Sequence, residues 1–147
     1  MDPFARKMIR GAFAYGLAML LMFAVLTAAY FHLRPLCPDR TLAEVDSPEH
    51  HWMAAVLQRR CGDDAPFISH VNLRSASQAL RRGFFSGQAK EGDVFVIEQD
   101  AAGAGLTLIW TSPDALTIAC PQCIPAYIRR SDPQWGAIRI HYELPPR

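Results

Sequence analysis

The chain has 147 residues, half of them apolar, with 15 Lys and Arg against 14 Asp and Glu; that is room for one ordered domain with additional apolar mass. A formal net charge of +1 excludes a general attraction to nucleic acid or to acidic substrates as the organising feature.

The apolar mass sits at the start. Residues 11–33, GAFAYGLAMLLMFAVLTAAYFHL, contain no Asp, Glu, Lys or Arg. At about 1.5 Å per residue that length reaches roughly 34 Å, enough to cross a hydrocarbon core of about 30 Å. A segment in lipid must pair its own backbone groups, so the spacing predicts a transmembrane helix. Arg6, Lys7 and Arg10 precede it, which places residues 1–10 in the cytoplasm and everything after Leu33 outside. Tyr30 and Phe31 then mark the outer interface. The competing reading is a signal peptide cut after the small residues Thr27, Ala28 and Ala29, but the apolar run continues beyond them and exceeds an ordinary signal core.

Residues 34–47, with two prolines and several charges, read as a linker, and residues 48–147 as an extracytoplasmic β-domain. Strands are expected at 51–60, where the Ala-rich middle also allows a helix, and at 67–73, 93–99, 106–110, 115–119 and 137–143, from alternation or short apolar runs bounded by turn residues. The clearest alternation is FISHVNL, which sets Phe67, Ser69, Val71 and Leu73 against Ile68, His70 and Asn72. Residues 74–90 read as a loop with a short helix at 76–81, DAAGAGL as a hairpin turn, and residues 121–130 as irregular. The fold class expected is mainly β: a single N-terminal transmembrane helix followed by a small antiparallel β-sheet domain.

The Cys61-Gly62 pair closing a strand, Gly92 to Phe95, Trp110 to Ile118 and Ile140 to Glu143 together resemble a widespread group of small bacterial envelope proteins, many of them lipoproteins, with no assigned activity. The resemblance spans roughly residues 47–144 and implies a β-domain in the envelope. It implies no reaction or ligand. This chain departs from the group in carrying a spanning helix in place of a lipid anchor, in placing His50-His51 at a turn that is usually Gly-rich, and in the second Cys of CPQC.

All four cysteines, Cys37, Cys61, Cys120 and Cys123, fall on the outer side, where an even count reads as disulfides. Pairing Cys37 with Cys61 and Cys120 with Cys123 is favoured over the crossed connectivities. The CPQC pair is also the candidate for a thiol-disulfide oxidoreductase, which needs a thiolate at a helix N-terminus. Pro121 and Pro125 leave little room for one.

His50, His51, His70 and His141 show no metal-ligand spacing with the cysteines. Asp63-Asp64 lack a calcium-loop ladder, and Ser69-His70, adjacent in one strand, point to opposite faces. No catalytic residue, metal or cofactor is assigned. The partner expected is another protein, as in an inner-membrane assembly or an immunity or inhibitor complex. Arg81, Arg82, Phe84 and Phe85 are the candidate contact residues, because aromatics beside Arg favour protein contacts.

Overall fold

The structure, a computed structural model, describes residues 3–33, 37–84 and 86–146. It divides into two compact units, residues 1–34 and 35–147. The first is helix α1, Pro3–Leu33. Its segment Gly11–Phe31 is long and apolar enough to cross a membrane, and large side chains along it stand exposed, Phe13 at 76% and Leu20 at 68%. A helix apolar all round is suited to lipid.

The second unit holds two sheets. One contains β1 (Arg40–Asp46), β2 (Trp52–Arg59), β3 (Ile68–Ser75), β4 (Asp93–Ile97) and β7 (Ile128–Ser131) in the order β1-β2-β3-β4-β7. Every pairing in it is antiparallel. The other contains β5 (Thr107–Ser112), β6 (Ala115–Ala119), β8 (Gln134–Trp135) and β9 (Ile138–Glu143) in the order β5-β6-β9-β8. Here β6 and β9 run parallel.

The sheets share one core. Ala54, Val56, Val71, Leu73, Phe95 and Ile97 from the first meet Leu108, Leu116, Ile118, Ile138 and Ile140 from the second. Two indoles join the sheets: Trp52 lies edge-on to Trp135 with centroids 5.6 Å apart, and Trp110 Nε1 donates to Val45 O at 3.0 Å. Tyr142 Oη donates to Asp132 O at 2.6 Å and Val94 O at 3.2 Å, pinning β9 across β4. Burial, together with the charge of Asp132, raises its pKa above the ordinary phenol value.

The mainly β class with an N-terminal apolar helix is observed; several details differ from expectation. The stretch expected as a linker contains β1, whose side chains are mostly exposed on both faces, so it carries no hydrophobic period to read. Residues 34–36 of that linker lie outside the described residues. DAAGAGL forms no hairpin. Asp100 caps the short helix α2, Ala101–Ala104, by accepting from the Gly103 amide at 2.7 Å, and Gly105 closes it, so the chain crosses from one sheet to the other instead of doubling back. That crossing creates two sheets from an expected one. No helix forms at 76–81, where a turn follows β3. The stretch 121–130 is irregular only to Ile124; a 3-10 turn, Pro125–Tyr127, then leads directly into β7.

Candidate functional site

Strand register decides what lies on the second face of the five-stranded sheet. Ala54, Val56, Val71 and Leu73 occupy one face, so Ala55, Leu57, His70 and Asn72 must occupy the other. A β-strand of a one-core sandwich would ordinarily offer this face to solvent. Here Leu57, His70 and Asn72 are all almost completely buried, because residues 37–39 and the loop before β4 cover them.

The centre of that cover is a carboxylate–histidine–carboxylate clamp. His70 Nδ1 lies 2.9 Å from Asp93 Oδ2, and His70 Nε2 lies 3.0 Å from Asp39 Oδ1. The His70 side chain is 1% exposed and that of Asp39 is fully buried. Asp39 also accepts from the Ala89 amide at 2.5 Å and from Arg59 Nη1 at 3.3 Å. Its backbone carbonyl accepts from Arg82, whose other nitrogen reaches Thr41 Oγ1 at 3.0 Å. Asn72 Nδ2 donates to Asp93 Oδ1 at 2.9 Å and Glu91 O at 2.6 Å, fixing the second carboxyl group.

Burial works against a charged imidazole, but the hydrogen bonds to Asp39 and Asp93 and their charges outweigh it, raising the His70 pKa from 6.5 to about 9. Burial likewise opposes ionisation of Asp39; the His70 hydrogen bond, the Ala89 amide and the charges of His70 and Arg59 overcome it and hold that carboxyl below its usual value. With both ring nitrogens committed and the ring itself buried, His70 has no lone pair to offer a substrate. The arrangement is a fastener: it ties residues 37–39 and the loop reaching Asp93 to β2 and β3.

Sequence reasoning missed this cluster. His70 was visible on the polar side of an alternating strand, but its partners are 31 and 23 residues away. The nearest signal for Asp39 is Cys37, two residues before it.

The cysteines pair as favoured, Cys37 with Cys61 and Cys120 with Cys123. Cys120 and Cys123 are 0% and 3% exposed. The Gln122 amide donates to Ala104 O at 3.2 Å, and Gln99 Nε2 donates to Gln122 O at 2.9 Å. CPQC is thus packed between α2 and the end of β4, and among the described residues no α-helix starts at it. The helix N-terminus that would generate a thiolate is not provided.

The four candidate contact residues separate. Phe84 is 81% exposed, Arg81 is exposed, and Phe85 lies outside the described residues. Arg82 is largely committed to internal hydrogen bonds with Asp39 O, Gly87 O and Thr41 Oγ1. His50 and His51 lie in the turn before β2 near Asp46 and Glu49, while His141 is on β9 in the other sheet. They do not converge with His70, and no cluster of metal-ligating side chains forms among the described residues. Asp63 and Asp64 are exposed. No protein-family model, curated relative or solved structure matches this chain.

Proposed function

We propose that this protein is a single-pass protein of the bacterial inner membrane whose disulfide-bonded β-domain, on the periplasmic side, binds another protein, as a subunit of a membrane assembly or as an immunity or inhibitor protein. The observation that carries the reading is the pairing of a charge-free apolar segment, Gly11–Phe31, with an ordered domain closed by two disulfides, chemistry suited to an oxidising compartment. The resemblance to small envelope proteins supports the same location. Arg6, Lys7 and Arg10 ahead of the helix support a cytoplasmic N-terminus.

For the protein contact, the four-stranded sheet offers an edge. Among the described residues β5 pairs only with β6 within its sheet, and Thr107, Ile109 and Thr111 along it are exposed, Ile109 at 53%. An exposed edge strand is a template for a partner's extended segment. Gly11 and Gly16, with Ala12, Ala14 and Ala18, add a small-residue stripe for close packing against another membrane helix.

Purification in mild detergent at native expression should recover a stoichiometric partner, lost on Ile109→Lys while the domain keeps its melting temperature. A lone monomer under crosslinking would overturn the reading.

A further inference from the structure

Among the described residues, two buried side-chain polar atoms have no hydrogen-bond partner, Asn72 Oδ1 and Arg74 Nη1. Both belong to residues that line one cavity of about 90 Å³, and both side chains are firmly held. Asn72 Nδ2 already donates to Asp93 Oδ1 and Glu91 O, which fixes the amide and leaves its oxygen unmatched. Arg74 Nε donates to Gln78 O at 3.0 Å and Nη2 to Glu44 Oε1 at 2.9 Å, which leaves the third guanidinium nitrogen unmatched. A buried acceptor and a buried donor without partners are costly, so the pair calls for a ligand that carries the complementary groups.

The cavity lies at a step in the five-stranded sheet. β3 stays paired with β2 as far as Ser75, but its pairing with β4 ends with Asn72 opposite Asp93. On the β4 side Leu73 N donates to Gly92 O at 2.7 Å, and alternation turns the Ser75 amide the same way, beyond the start of β4. Gly92, also on the cavity wall, keeps the step open: a Cβ there would run into Leu73 O and stand 3.3 Å from Asn72 Oδ1. Leu73 and Trp135 add apolar wall. The charged lining residues are Arg74, Arg81 and Glu91, the last two exposed, so cations outnumber anions.

We propose that this cavity holds the carboxyl-terminal residue of a partner polypeptide. The terminal carboxylate accepts from Arg74 Nη1 and the Ser75 amide, with Arg81 at the rim. The residue's own N–H donates to Asn72 Oδ1, and a small apolar side chain packs on Leu73 and Trp135. Capture of a chain terminus by charged and main-chain donors is a recurring mode of recognition. A free amino acid fits less well, because its ammonium would enter beside two guanidinium groups. Neither unmatched atom presents surface to solvent, so occupancy requires small rotations of the two side chains, as is common at interfaces. The inference rests on the protein-binding reading and names the part of the partner that is recognised.

Isotope-labelled full-length protein in detergent micelles, titrated with acetyl-Gly-Gly-Val carrying a free carboxylate, should show saturable shifts of the Trp135 indole and Asn72 side-chain amide resonances. Amidation of the peptide's C-terminus and Arg74→Gln should each weaken binding roughly tenfold or more. Because Arg74→Gln also releases Glu44, Arg81→Gln on the exposed rim is the second variant; it should weaken binding about threefold with the melting temperature unchanged. No saturable shift up to about 10 mM peptide would overturn the proposal, as would equal binding of the amidated peptide or tighter binding of free valine. A stoichiometric partner that is lost on Ile109→Lys but indifferent to Arg74→Gln would sustain the wider reading while overturning this site.

Discussion

His70 holds a proton between two carboxyl groups with its own ring 1% exposed, so its charge is part of the folded state and not a property of the surface. Its pKa rises from 6.5 in the unfolded chain to about 9 in the fold, and a raised pKa means that the folded state binds the proton more tightly. The stabilisation is therefore complete below about pH 6.5 and is lost as pH rises through about 9. Asp39 contributes with the opposite sense: its depressed pKa gives stability at neutral pH that is lost as pH falls through the folded-state value. Thermal melts should show stability declining between pH 6.5 and 9 in the parent protein, with that slope absent in His70→Gln. Breaking one member of such a buried set should cost about 3–5 kcal/mol at neutral pH by urea titration. Beside the clamp, Gly92 has φ +94, and a Cβ there would stand 2.2 Å from Leu73 O. Gly92→Ala combines strain with a backbone clash and should destabilise by about 2 kcal/mol or more, measurable in the same titration.

At the scale of elements, the two disulfides act on very different loops. Cys37–Cys61 closes 24 residues and holds residues 37–39 over the clamp, whereas Cys120–Cys123 closes a separation of 3. Chain-entropy arguments assign about 3 kcal/mol to the longer loop and about half that to the shorter. Replacing Cys37 and Cys61 by Ser should therefore lower stability more than replacing Cys120 and Cys123. It should also speed amide exchange along β3 around His70, which the shorter disulfide should leave protected; hydrogen-exchange mass spectrometry distinguishes the two. The strands that could be read from sequence were those with a one-sided pattern or an apolar run: β6 is Ala115–Ala119 as expected, and β2, β4 and β9 shift by only a residue or two. β1 was invisible because Leu42, Ala43 and Glu44 give an exposed strand no period. α2 was misread because Asp100 and Gly105, residues that serve turns, serve equally as helix caps. The clamp was hidden for another reason: periodicity reports which side of a strand a residue takes, while only tertiary packing determines that a loop will cover that side.

Across the whole molecule, the division into an apolar helix and a disulfide-bonded domain leads to a simple cellular expectation. If α1 is retained as a span, the protein should stay with membranes through an alkaline carbonate wash and keep residues 1–10 at its N-terminus. A reporter enzyme fused after the last residue should be active only on the periplasmic side. Release by the wash, or a mature chain starting near Tyr30, would identify α1 as a cleaved signal.

The bond from Cys37 to Cys61 also sets where mechanical load would travel. If α1 is retained as a span, tension applied through it enters the domain at Cys37, where the covalent path branches: one route runs through β1 and β2, the other jumps across sulfur to Cys61. The short route carries the pull, so β1 and β2 lie in a slack ring and cannot be peeled away while the bond is intact. A domain tugged by a partner or a moving membrane would first feel the load at the start of β3. Only a reductant would let β1 unzip.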